Sequence, residues 1–204
     1  MTLEPVVFVV DDDEHARKSV CALVRSLGVQ AESFSSAEEF LASCTAGRSG
    51  CLVTDIRMLG MSGLDLQDRL IELGIELPVI VLTAFPRTRS TVRAMAAGAV
   101  TLLEKPYEEE ELWDAIRKAL ARDAAVRATA QHRREIKERA DRLTPDERTV
   151  MQMIVQGKPN KIIATVLNTS IRTIEGRRHE VFAKMGVESV AELVRLTIEG
   201  EVVD

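Results

Sequence analysis

Three apolar runs in the first half of this chain each stop at a residue that carries chemistry. Val6 to Val10 runs into Asp11, Asp12 and Asp13, Cys51 to Thr54 runs into Asp55, and Val79 to Leu82 runs into Thr83. A fourth run, Val100 to Leu103, leads through Glu104 to Lys105 and Pro106. Short apolar runs bounded by turn residues mark strands buried on both faces, as in a parallel sheet covered by helices. In such a sheet, ligands bind beyond the carboxyl ends of the strands. The pattern predicts one sheet edge that gathers carboxylates, a hydroxyl and an amine.

The segments between these runs read as helices. His15 to Leu27 has apolar residues at helical spacing and stops at Gly28. Ala31 to Phe34 is a further short strand, and Ser36 is placed to cap a helix over Ala37 to Ser43. Gly63 to Leu73 and Thr88 to Ala97 are helical, closed by Gly74 and Gly98. Five strands alternating with five helices predict an α/β doubly wound five-stranded parallel sheet over residues 1–122.

From Tyr107 to Thr144 the chain has neither glycine nor proline. The apolar stripe thins beyond Ala121 while charge becomes dense. This predicts a fifth packed helix to about Ala121 that continues as an exposed helical connector over 123–142, with a break near Asp123 as the alternative. Thr144 with Glu147 three residues on forms a capping box before an apolar run. Helices are then expected over Pro145 to Val155, Asn160 to Leu167, from the Ser170 cap to Met185, and from the Ser189 cap to Ile198. Two of them joined by the tight Asn168-Thr169 turn make 143–204 a second, all-α four-helix domain of helix-turn-helix type.

Charge is distributed unevenly. Residues 1–122 hold 13 Lys and Arg against 19 Asp and Glu, whereas 144–184 hold 7 against 4. An acidic first half suits a cation pocket, and a locally basic second half permits nucleic-acid contact. No apolar stretch approaches the roughly 18 residues of a membrane span, and no signal peptide is legible, so a cytoplasmic protein with no membrane partner is expected. Cys21, Cys44 and Cys51 follow no metal-ligand spacing and are expected to be free thiols.

Mg²⁺ prefers hard oxygen ligands, and clustered carboxylates need a cation to offset their repulsion. Asp12 and Asp55 are therefore candidate metal ligands, with Asp11 acting through water or hydrogen bonds and Lys105 compensating charge. A carboxylate flanked by a metal, an ammonium and a hydroxyl can accept a phosphoryl group. The segments VVDDDEHARKS, LVTDIRMLGMSGLDL, VIVLTAF and LLEKPY resemble the receiver domain of two-component response regulators over residues 3–122. That resemblance implies Asp55 as phospho-acceptor and Asp11 and Asp12 as the acid pair for Mg²⁺. The Arg57 backbone carbonyl is implied as a further metal ligand, Thr83 as the switch hydroxyl, and Lys105 as the ion-pairing amine. Leu102 stands where the family usually has an aromatic switch residue, and Leu59 where it usually has proline.

Residues 143–196 resemble the LuxR-type helix-turn-helix of the FixJ/NarL response regulators. The resemblance implies that the third helix enters the major groove of double-stranded DNA, with Glu175, Gly176 and His179 facing bases. Thr173, Arg177, Arg178 and Lys161 suit phosphate contact, and either arginine is also able to read guanine. The expected protein is a phosphorylation-switched transcription regulator, not an enzyme beyond slow self-dephosphorylation. It is expected to be served by a sensor histidine kinase and to act as a homodimer when phosphorylated. The alternatives are a regulator acting through protein contacts alone, and an aspartyl-phosphate hydrolase. The hydrolase reading is opposed by arginine at position 57, where those enzymes carry a second acid.

Overall fold

The computed structural model describes residues 4–44 and 47–202. The chain divides into two compact units, with the boundary between Val126 and Arg127.

In the first unit, β1 (Val6–Val10), β2 (Gln30–Phe34), β3 (Gly50–Asp55), β4 (Val79–Thr83) and β5 (Thr101–Glu104) form one sheet in the order β2-β1-β3-β4-β5. Every pairing is parallel. Between the strands run α1 (Glu14–Ser26), α2 (Ala37–Ser43), α3 (Gly63–Glu72) and α4 (Thr88–Ala96), and α5 (Glu109–Asp141) follows β5. This is the doubly wound sheet expected from the apolar runs.

Alternation along the strands sorts side chains to the two faces. Val7, Val9, Cys51, Val53, Ile80 and Leu82 pack with α1 and α5, chiefly through Val20, Val24, Leu112 and Ile116. Phe8, Val10, Leu52, Val79 and Val81 pack with α2, α3 and α4, through Phe40, Leu66, Leu70 and Ala94. Burying one such leucine or phenylalanine contributes about 1.5–3 kcal/mol, so truncation on either face would loosen the sheet. Val10 pairs in register with Thr54, and Asp55 with Leu82. Chain order reverses about β1 and β3, and their carboxyl ends open the crevice where such sheets bind ligands.

Helix α5 runs unbroken for 33 residues. Most of 123–142 is exposed, and the exposure is interrupted at Asp123, Ile136 and Ala140. Asp123 is buried, its Oδ2 accepting the Ser49 hydroxyl and the Gly50 amide at 2.9 Å each. Ile136 and Ala140 are buried in the core of the second unit. The thinning apolar stripe had concealed both anchors, one because it is polar and the other because it belongs to a different core.

The second unit holds α6 (Pro145–Val155), α7 (Asn160–Val166), α8 (Ile171–Met185) and α9 (Val190–Glu199). Met151, Ile154, Ile163, Ile174, Val181 and Leu193 centre its core. The Thr144–Glu147 capping box forms as its spacing predicted, each side chain accepting the other residue's amide. Asn168 adopts φ 48°, a left-handed conformation that asparagine tolerates better than most residues and that lets α7 turn tightly into α8. On α9, Leu193 and Leu196 are buried, and Val190 and Val194 are half-buried. Ile198, 71% exposed, is a large apolar residue of that helix left open. No helix among the described residues is long and apolar enough to cross a membrane.

Candidate functional site: an acidic pocket and a basic helix

The strand ends deliver the predicted groups to one edge. Asp11 follows β1, is 3% exposed, and has one carboxylate oxygen on the Asp13 amide at 2.9 Å. Its other oxygen accepts the Lys105 ammonium at 2.9 Å. Asp55 ends β3 and is 8% exposed. Its Oδ1 accepts Lys105 Nζ at 2.6 Å, and its Oδ2 accepts the Arg57 amide at 2.6 Å. Lys105 therefore bridges two carboxylates from different strands. Burial pushes its pKa down, but the hydrogen bonds to Asp55 and Asp11 outweigh that and hold it above its ordinary 10.5.

Local backbone fixes these groups. The Lys105 amide donates to the Thr83 carbonyl at 2.7 Å, which ties the residue after β5 to the end of β4. Lys105-Pro106 is a cis peptide. Thr83 is 1% exposed and its hydroxyl accepts the Phe85 amide at 3.2 Å. Beyond Asp55, the first residue of α3 must be glycine: a Cβ on Gly63 would lie 2.1 Å from the Asp55 carbonyl oxygen. Close approach at Gly63 thus sets the path of the loop that carries Arg57 and Leu59.

Asp12 is exposed and its Oδ2 accepts the Leu59 amide at 2.9 Å, bracing the loop where the family usually has proline. Leu59 itself is 82% exposed. The Arg57 guanidinium lies over the Phe85 ring at 4.6 Å from its centroid. Leu102 on β5 is half-buried against the cluster that includes Val81 and Ala94. Asp13 is exposed and caps α1, accepting the amides of His15 at 2.8 Å and Ala16 at 3.2 Å.

The donors at this edge fit a divalent cation in kind. Asp11, Asp12 and Asp55 bring three carboxylates to this edge, with Lys105 paired to two of them, a donor set of hard oxygens of the kind a divalent cation takes. In the geometry described, Asp12 turns to Leu59, and no three acidic, histidine or cysteine side chains converge on one point among the described residues.

Helix α8 has a clear inner and outer side. Ile174, Val181 and Met185 are buried. Arg172, Thr173, Glu175, Gly176 and His179 are exposed, as is Lys161 on α7. Two half-buried cations lie along one flank, both held by the start of α6: Lys184 by Glu147, at 2.6 and 2.7 Å, and Arg177 by Asp146. On the opposite flank, Arg178 reaches Asn160 at 3.4 Å and stacks 5.1 Å from the Phe182 ring centroid. Gly176 would meet nothing within 4 Å if given a Cβ, so internal packing does not require glycine there. Glu147 was legible from sequence as a capping residue, but the pairing of Asp146 with Arg177 was not. Asp146 lies 31 positions from Arg177, and no short-range spacing links them.

Comparison with known proteins decides the family. Residues 7–117 match the model of the response regulator receiver domain, and residues 141–197 match that of the bacterial regulatory proteins of the luxR family. The chain is a response regulator with a LuxR-type DNA-binding domain. It is 40% identical to the transcriptional regulatory protein FixJ of Rhizobium meliloti over 194 residues, covering 95% of each chain. It is also 40% identical to the response regulator protein TodT of Pseudomonas putida over 192 residues, 94% of this chain and 85% of that one. Among solved structures it resembles the response regulator StyR, with TM-score 0.89 and 39% identity over 96% of this chain and 99% of that one. Receiver and DNA-binding parts together make this regulator a phosphorylation-dependent controller of transcription, in a family of transcription factors rather than turnover enzymes.

Proposed function

We propose that Asp55 of the receiver accepts a phosphoryl group from a cognate sensor histidine kinase. The observation that carries this reading is the pairing of a nearly buried Asp55 carboxylate with Lys105, beside Asp11 and the buried Thr83 hydroxyl. An Asp55 oxygen forms the new bond to phosphorus as the bond from phosphorus to the donor nitrogen breaks, giving an acyl phosphate. Asp11, Asp12, Asp55 and the Arg57 carbonyl are the groups that would hold Mg²⁺. Bound there, the metal supplies charge neutralisation for the phosphoryl oxygens.

This chain's own residues do the rest. Lys105, already on Asp55, follows the negative charge outward and pairs with a phosphoryl oxygen. The Thr83 hydroxyl donates its proton to another phosphoryl oxygen and draws the end of β4 inward. Phosphorylation adds about −1.5 to −2 of charge, enough to bias a receiver that has two arrangements. With Leu102 in place of an aromatic ring, the relay rests on movement at Thr83 and on repacking of a small aliphatic side chain. The phosphorylated protein forms a homodimer through its receivers, and its activity is that of a phospho-acceptor with slow self-dephosphorylation. It works in the cytoplasm.

In the second unit, Glu175, Gly176 and His179 face the bases of double-stranded DNA, while Lys161, Thr173, Arg177 and Arg178 contact phosphates. The half-buried flank positions of the two arginines support that division, because the flanks of a helix lying in the major groove face its phosphate walls. On this reading, residues 1–122 are the receiver, 123–142 the connector and 143–204 the DNA-binding domain. A gel-shift with the promoter region beside its own gene tests the whole reading. Binding that strengthens on phosphorylation is expected. Absence of binding in both states would favour a regulator acting through protein contacts.

A further inference from the structure

Arg177 is held in an ion pair by a residue of another helix. Asp146 is the second residue of α6, and its carboxylate accepts the Arg177 guanidinium while remaining 65% exposed. The neighbouring pair of Glu147 with Lys184 is different in kind. Glu147 is 7% exposed and belongs to the capping box, so that pair joins α6 to α8 from within the fold. Asp146 takes no part in the cap hydrogen bonds.

An exposed acid next to the arginine of a DNA-facing helix has two opposed effects. It offsets one positive charge and so weakens attraction to every phosphate backbone alike. It also occupies one edge of a rigid five-donor fork and leaves the remaining donors aimed in a fixed direction. A free arginine can meet phosphates in many geometries, whereas a braced one meets them best in a single register.

We propose that Asp146 is a positioning residue for DNA recognition, bracing Arg177 so that it contacts phosphate in one register and thereby suppresses non-specific binding. This rests on the reading of α8 as the recognition helix. Removing the carboxylate frees a full positive charge on the DNA-facing side. Non-specific affinity then rises and its salt dependence steepens, while the specific complex loses the pre-organised contact.

The test uses the full chain, phosphorylated with acetyl phosphate, on two duplexes: one selected from random sequence by the wild-type protein, and one of scrambled sequence. For Asp146→Asn, the slope of log affinity against log salt on the scrambled duplex should steepen by about one. Its preference for the selected duplex should fall severalfold, Asp146→Glu should restore most of that preference, and thermal stability should stay close to wild type. In an Arg177→Ala background, Asp146→Asn should change neither slope nor preference. Unchanged slope and preference in Asp146→Asn would overturn the inference. So would an equal loss on both duplexes together with a lowered melting temperature, the mark of a purely structural role. A wild-type protein that prefers neither duplex would overturn the DNA-binding reading itself, and this inference with it.

Discussion

Asp123, in the fourth turn of α5, accepts the backbone amide of Gly50 at 2.9 Å and so fixes the helix to the first residue of β3. The same carboxylate oxygen takes the Ser49 hydroxyl, and Asp123 is only 2% exposed. β3 therefore has a buried acid at each end: Asp123 beneath its first residue and Asp55 as its last.

Removing that anchor should be costly. Asp123→Ala leaves a buried amide without its partner, and the expected destabilisation of the first unit is about 1–3 kcal/mol. Asp123→Asn keeps an acceptor oxygen and should lose less. Urea denaturation of the two variants separates them; a change within about 0.5 kcal/mol for both would mean that Asp123 behaves as an ordinary surface residue.

Acid should unsettle the second unit through Glu147. Its hydrogen-bonded pairing with Lys184, followed by the Thr144 amide, holds its carboxyl below the ordinary 4.5. A depressed folded pKa contributes stability that is fully present above about 4.5 and is lost as pH falls through the lowered value. Glu147→Gln should lower stability at neutral pH by about 1–2 kcal/mol and flatten the dependence below pH 4.5. Thermal melts from neutral to acid pH measure it, and a variant as acid-sensitive as wild type would remove Glu147 from the account.

The three thiols should be sluggish in the folded protein. Burial pushes Cys51 up to about 12, with the nearby Asp123 charge adding to it, and burial also raises Cys21 and Cys44. Reaction with a thiol reagent at neutral pH should find Cys44 first, because it alone of the three is partly exposed. Cys51 should react at the rate of unfolding; fast native labelling at that position would contradict the packing of β3.

Gly176 allows stability and function to be told apart. Mid-helix glycine costs about 1 kcal/mol relative to alanine, and a Cβ there meets nothing within 4 Å. Gly176→Ala should therefore raise the melting temperature of the second unit while weakening DNA binding, if the bare backbone is what approaches the groove. A variant that is both more stable and fully competent in binding would show that glycine is merely tolerated.

The strand ends were legible because a strand buried on both faces is written as an unbroken apolar run, so the residue where it stops stands out. The helix caps were legible because Ser36, Thr144, Ser170 and Ser189 act within three residues of themselves. Long-range polar partnerships were not. Asp123 looked like one more charge in a charged helix, and only its partner 73 positions away explains its burial. Ile136 and Ala140 continued a fading stripe because they serve the second core rather than the first. The strand-end acids and the pairing role of Lys105 were both legible as strand-end residues; what the fold adds is that one ammonium bridges Asp11 and Asp55, 94 and 50 positions away.

The central claim is that Asp55 accepts a phosphoryl group in an acidic, Mg²⁺-assisted pocket. Incubation of the purified chain with acetyl phosphate, followed by intact-mass measurement, tests it directly. One phosphoryl adduct that requires Mg²⁺, is labile in base and is absent from Asp55→Ala is the predicted result. An adduct that persists in Asp55→Ala, or that forms equally well without the metal, would contradict it.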